Sequence, residues 1–136
     1  MAGYSGAPLA KKLGLKEGQR MWVRNPPEGY WEALEPLPPG LTVLKRPGTK
    51  LDLVHYFTCD RAELQRQLPR LRARIHDEGA VWISWPKKAS RVPSTVTEDT
   101  VREFALPLGL VDVKVCAVDE IWSGLKVVVR KELRSR

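Results

Sequence analysis

Cysteine and histidine are scarce in this chain, two of each among 136 residues, and that scarcity removes whole classes of chemistry. Cys59 and Cys116 show no CxxC spacing and follow no secretory pattern, so both are expected as reduced thiols of a cytoplasmic protein, packing as small hydrophobes. His55 and His76 stand apart from any HExxH or Cys/His cluster, which predicts no metal centre. His55 reads as a hydrogen-bonded core residue and His76 as a favourable charge at a helix C-terminus. No GxSxG elbow marks a serine nucleophile, no motif activates either thiol, and no catalytic residue is assigned. No apolar run approaches the ~18 residues that cross a bilayer, and Gly3 is one position too late for myristoylation, so no membrane association is expected. Internal repeats and low-complexity segments are also missing.

What is present is ordinary globular material: 43% apolar and 29% charged residues, expected to form one α/β domain over residues 1–136. A chain of this length buries about 68% of its unfolded surface and needs no disulfide or metal to fold. Residues 1–18 read as an arm packing over the domain, with a short helix at 8–13 that Pro8 would begin. Strands are predicted at 20–24, 41–45, 51–57, 80–85, 110–118 and 125–129 from apolar runs or alternation. In the fifth, Val111, Val113, Val115 and Ala117 form the apolar side. A two-turn helix at 30–34 stops before Pro36.

The clearest helix follows Asp60, whose spacing to Glu63 is that of a capping box, with Leu64, Leu68, Leu71 and Ile75 as its stripe. Gly79 would close it, Pro69 would kink it, and Arg66, Arg70 and Arg74 would share its other face. Thr95 with Glu98 repeats the capping spacing and begins a helix carrying Val101, Phe104 and Ala105. Alternating strands and helices predict a mainly parallel sheet, and the last two strands, joined only by residues 119–124, must be antiparallel.

That pattern resembles the Rossmann-like fold of the S-adenosylmethionine-dependent methyltransferases, whose parallel sheet ends in an antiparallel return. Leu51-Asp52-Leu53-Val54 looks like the opening of that fold's fourth strand, and Asp77-Glu78-Gly79-Ala80-Val81-Trp82-Ile83 like its turn into the fifth. Longer phrases, Gly3-Tyr4-Ser5-Gly6, Trp85-Pro86-Lys87-Lys88, the run from Leu110 to Glu120 and Trp122-Ser123-Gly124-Leu125-Lys126, are similar to a bacterial family defined as a domain of unknown function. The resemblance implies a six-stranded mixed sheet ordered 2-1-3-4-6-5, with helices on both faces.

Two departures bear on the cofactor. Working methyltransferases end the first strand in a glycine-rich turn whose amides approach the cofactor, whereas Val23-Arg24-Asn25-Pro26-Pro27-Glu28-Gly29 offers prolines, which lack the N–H. Their second strand ends in a carboxylate for the ribose, whereas Lys45 and Arg46 are cations. No cofactor is therefore predicted, and S-adenosylmethionine is not expected to bind.

The net charge of +7 favours anionic partners. The loop after the fourth strand, residues 85–91, joins Trp85 and Ser90 to three cations, Lys87, Lys88 and Arg91, at the carboxyl edge, where open α/β sheets hold ligands. The return into the last strand brings Trp122 and Ser123, with Asp119 and Glu120 as a further acidic pair. Trp85, Lys87, Lys88 and Trp122 are expected to meet around one opening. Of five tryptophans, Trp22 and Trp82 read as core, while Trp31, Trp85 and Trp122 fall in turns or loops. The first reading is a non-catalytic or cryptic binder of an anionic small molecule or nucleotide. The alternatives are an interaction module docking nucleic acid or an acidic protein through its basic face, and a divergent methyltransferase.

Overall fold

The computed structural model describes residues 7–134. Its elements follow the chain as α1 (Leu9–Leu13), β1 (Arg20–Arg24), α2 (Tyr30–Leu34), β2 (Thr42–Val43), β3 (Leu51–Phe57), α3 (Arg61–Arg72), β4 (Ile75–Pro86), α4 (Glu98–Ala105), β5 (Leu110–Ala117) and β6 (Trp122–Val129). They form one six-stranded sheet in the order β2-β1-β3-β4-β6-β5. The first four strands are parallel, and β6 lies antiparallel between β4 and β5. This is the strand order and the antiparallel insertion that the sequence implies.

Alternation sorts the side chains onto two faces. Trp22, Val54, Tyr56, Val81, Ile83, Trp85, Leu125 and Val127 pack with Leu64 and Leu68 of α3 and Val101 of α4. Met21, Leu53, Phe57 and Trp82 pack with Leu9 and Leu13 of α1 and Tyr30 and Leu34 of α2. Both central strands are covered on both sides, which is why they read as continuous apolar runs. Trp22 and Trp82 are core as predicted, and the Trp82 indole N–H donates to the Leu13 carbonyl at 3.0 Å. The six residues ahead of Ala7, and with them the phrase Gly3-Tyr4-Ser5-Gly6, lie outside the described residues.

Several sequence expectations need correction. The helix after Asp60 ends at Arg72, and Ile75 belongs to β4. The stripe of period 3.6 happens to stay in step across the turn, but the Leu51 amide bonds the Arg74 carbonyl and draws the chain onto β3. Leu51 pairs with Ile75 and Leu53 with Ala80, so β4 carries a bulge over residues 76–79. Gly79 is therefore not a helix cap: a Cβ there would lie 2.7 Å from the Leu51 carbonyl oxygen. His76 likewise leaves the helix terminus and binds Asp52 at 2.6 Å across the bulge. Arg74 turns to the Gly48 carbonyl, so the predicted stripe of three arginines is reduced on α3 to Arg66 and Arg70.

The cap of α4 is Thr97 with Thr100, not Thr95 with Glu98; Thr95 instead accepts from the Arg61 amide at the start of α3. Pro8 precedes the first helical residue and does not occupy it. The second strand shrinks to two residues, and no helix covers the connection of residues 44–50 to β3. In β5 the expected apolar side faces outward: Val113 and Val115 are 55% and 48% exposed. A register shift between Asp112 and Lys114 and the position at the sheet edge account for this.

Candidate functional site

In a sheet of this kind the carboxyl ends of the parallel strands form one rim, at Arg24 of β1, Phe57 of β3 and Pro86 of β4. The antiparallel β6 starts at that rim, with Pro86 opposite Trp122 and Trp85 opposite Ser123. The predicted neighbourhood thus forms along the backbone. The side chains part, because adjacent ladder positions point to opposite faces. Trp85 packs on the side of α3 and α4, whereas Trp122 packs edge-on against Phe57, 5.2 Å between centroids, on the side of α1 and α2. The two indoles do not share an opening.

Lys87 is engaged with the neighbouring hairpin. Its amide donates to the Ile121 carbonyl and its ammonium to the Asp119 carbonyl at 2.8 Å, tying the loop after β4 to the β5–β6 hairpin. Asp119 has its own turn to hold: one carboxylate oxygen accepts from the amides of Ile121 and Trp122 at 2.8 and 2.7 Å. Ser90 donates to the Lys87 carbonyl and accepts from the Val92 amide. Glu120 is exposed on the hairpin and Ser123 is half-buried within β6.

What Trp85 does line is a cleft of about 390 Å³, which it shares with Lys88, Arg91, Val92, Ser94 and Thr97. The indole is 7% exposed, and its N–H makes no hydrogen bond among the described residues. Arg91 holds φ at +63°, an uncommon conformation for a residue with a side chain. Arg91 belongs to the loop that the sequence singles out, whereas Ser94 and Thr97 are absent from the sequence-based site. Ser94 and Thr97 are masked there by the misplaced helix cap, and the general rule that loops after buried strands carry ligands was the available signal. Cys59 lies in a shallow neighbouring hollow with Asp60 and Thr95, its thiol held above the ordinary range by burial and then by Glu63.

Side chains bridge the carboxyl ends of β1 and β3. Asn25, at φ +58°, donates its amide to the Phe57 carbonyl at 3.1 Å and to Glu63 at 3.4 Å. Tyr56 donates to the same Glu63 oxygen at 2.5 Å. Arg24 Nε is buried with no hydrogen-bond partner among the described residues. The turn that follows has prolines at two successive positions, 26 and 27, neither of which has a backbone N–H to donate.

Among the described residues one Ser–His pair is hydrogen-bonded, in the interior. His55 bridges the Tyr30 hydroxyl and the Ser84 hydroxyl, 2.8 Å to each, and all three residues are buried. Burial pushes the His55 pKa down to about 3, so the ring is neutral at physiological pH. None of the three lines the Trp85 cleft or the Cys59 hollow, and the network joins β3, β4 and α2. His55 is the hydrogen-bonded core residue that its apolar surroundings predict.

No protein-family model and no curated protein matches the chain. Solved structures do. An S-adenosylmethionine-dependent methyltransferase from Aquifex aeolicus superposes with a TM-score of 0.64 at 15% identity, over 89% of this chain and 87% of that one. Magnesium protoporphyrin IX methyltransferase from Synechocystis PCC 6803, with S-adenosylmethionine bound, gives 0.58 at 12% over 89% and 74%. A TehB-like methyltransferase from Corynebacterium glutamicum gives 0.56 at 11% over 95% and 91%. The fold is the Rossmann-like fold of the S-adenosylmethionine-dependent methyltransferases. Among the described residues no helix is long and apolar enough to cross a membrane, and no group of three or more His, Cys, Asp or Glu could hold a metal.

Proposed function

We propose that this methyltransferase-like domain binds an anionic small molecule with a flat ring, of nucleotide type, in the cleft between the end of β4 and the start of α4. The observation that carries this reading is the convergence of the Trp85 indole with Lys88, Arg91, Ser94 and Thr97 around about 390 Å³ at the carboxyl end of a central strand. The indole supplies a ring surface and a free donor, the two cations supply charge, and the hydroxyls fix orientation. Lys88 and Arg91 enter no ion pair among the described residues, so neither is committed elsewhere. Nucleic-acid docking through the basic face draws less support, because Arg74 has left the helical stripe.

The divergent methyltransferase remains the second reading, favoured by the fold neighbours. Against it stand the two prolines, the Asn25 bridge to β3 and the cations after β2. Thermal shift with a panel of nucleotides and S-adenosylmethionine separates the two. A ligand at 100 times its dissociation constant adds about 2.7 kcal/mol to stability. The expected result is stabilisation by one or more nucleotides, reduced in Lys88→Gln and Arg91→Gln, and none by S-adenosylmethionine. Micromolar binding of S-adenosylmethionine would promote the second reading, and a panel with no response would end the first.

A further inference from the structure

Helices α1 and α2 lie side by side on one face of the sheet, seated on Met21, Phe57 and Trp82 through Leu9, Leu13, Tyr30 and Leu34. The charges around them are segregated. Residues 7–16, which include α1, contain three lysines, Lys11, Lys12 and Lys16, and no acidic residue. Residues 25–44, which include α2, contain three glutamates, Glu28, Glu32 and Glu35, and neither Lys nor Arg. In a chain of net charge +7 a stretch of that length without a cation stands out, and it adjoins a stretch of the opposite sign. Lys11, Lys16 and the three glutamates are exposed and enter no ion pair among the described residues.

Neighbouring elements extend each half with its own sign. On the lysine side β5 brings Lys114, which donates to the Lys12 carbonyl at 3.0 Å and stands opposite Lys126 in the β5–β6 ladder. Like charges repel in that position. On the glutamate side, Glu17 packs toward the loop after α2, its Cγ 3.8 Å from where a Cβ on Gly40 would sit. Two apolar side chains accompany the glutamates: Trp31, edge-on to Tyr30 at 5.1 Å between centroids, is 38% exposed, and Leu37 is 36% exposed. A face with one acidic and one cationic half is complementary to itself after a half-turn. A two-fold axis between α1 and α2 sets the glutamate half of each copy against the lysine half of the other, so every contact forms twice. Copies of net charge +7 repel in random orientation, and this is the orientation that local charge selects.

We propose that the α1–α2 face is the contact surface of a two-fold symmetric homodimer, in which Glu32 of each copy meets Lys11 of the other and Trp31 lies across the lysine stems. An indole is a suitable anchor there, because its face attracts an ammonium and its edge packs on the aliphatic stem. Trp85 packs on the other face of the sheet, so the dimer leaves its cleft open. The proposal does not depend on the reading of that cleft.

Sedimentation of the whole chain at fixed ionic strength tests it, using Glu32→Lys, Lys11→Glu, the two combined, and Arg66→Glu on α3 as a control. The wild type is expected to show a concentration-dependent equilibrium between monomer and dimer. Each single reversal turns attraction into repulsion at two symmetric places and weakens the dimer about tenfold or more, whereas the combined variant returns to within about threefold of wild type. Glu32→Lys raises the net charge, while Lys11→Glu and Arg66→Glu lower it equally. Weakening by the first two and not by the third therefore separates local pairing from overall charge. Both positions are exposed, so each variant stays folded, which circular dichroism checks. A second readout uses the wild type alone: carbodiimide coupling of mixed isotope-labelled and unlabelled protein is expected to join the Glu32 peptide of one copy to the Lys11 peptide of another. The proposal is overturned if the wild type is monomeric up to about 1 mM, or if the combined variant associates as weakly as the single ones. A dimer that neither reversal weakens also overturns it and places the contact elsewhere, as at the β5 edge.

Discussion

His55 shows how one buried residue can set the acid stability of the whole domain. Its ring bridges Tyr30 and Ser84 in a site closed to water, and the folded protein holds its pKa at about 3 against about 6.5 in an unfolded chain. Between those values the unfolded state binds a proton that the native state refuses, so stability is complete above 6.5 and is lost as pH falls toward 3. The limiting slope for one group is about 1.4 kcal/mol per pH unit. Denaturant unfolding of the wild type from pH 7 to 5 is expected to show most of that slope, before carboxylates begin to titrate. His55→Gln is less stable at pH 7 and shows a shallower slope. Equal slopes in the two proteins would remove His55 as the cause. This residue was legible in the sequence because a lone histidine in an apolar run must be satisfied or excluded. Its partners were not, since Tyr30 and Ser84 lie 25 and 29 positions away.

At the level of elements, α3 carries the most informative disagreement. The apolar period, the Asp60 cap and a single helix through Pro69 were all readable, and Asp60 does accept from the Ala62 amide. The end was not readable. Leu71 and Ile75 keep helical spacing, yet Ile75 pairs with Leu51, so a long-range strand contact outweighs a local pattern. The same limit hid the true cap of α4, where three hydroxyl residues in four positions offered competing starts. Pro69 sits exposed in the last third of α3, where it denies the Gln65 carbonyl its intrahelical donor. Pro69→Ala restores that bond and should raise the unfolding free energy by about 2 kcal/mol, the helix-interior penalty less the entropy proline removes from the unfolded chain. Equilibrium denaturation measures it. An unchanged or lower stability would mean that the proline's packing or its effect on the unfolded chain outweighs the missing hydrogen bond.

For the whole molecule, strand order was legible because the antiparallel return and right-handed crossovers leave few arrangements. The candidate site was legible only along the backbone: Trp85 and Trp122 do come to neighbouring strands, but their faces depend on register, and a shift of one position reverses a side chain. Register also decides that Val113 and Val115 are exposed, which alternation alone reads the other way. The resulting sheet is graded from centre to edge. Strands β3 and β4 have a partner on each side and helices over each face, whereas β5 has one partner and an exposed outer half. Backbone hydrogen exchange should follow that gradient. The amides of Val54, Tyr56, Val81 and Ile83 are expected to exchange only through global unfolding, and the outward-facing amides of β5 through local fluctuation that is nearly independent of denaturant. Measured in the monomeric protein, equal protection of β5 and β3 would contradict the gradient and reveal a cover over the β5 edge. With that edge open, β5 has an exposed apolar pair and unpaired backbone groups, held from pairing with another chain by the bulge after Asp112 and by the charge of Lys114.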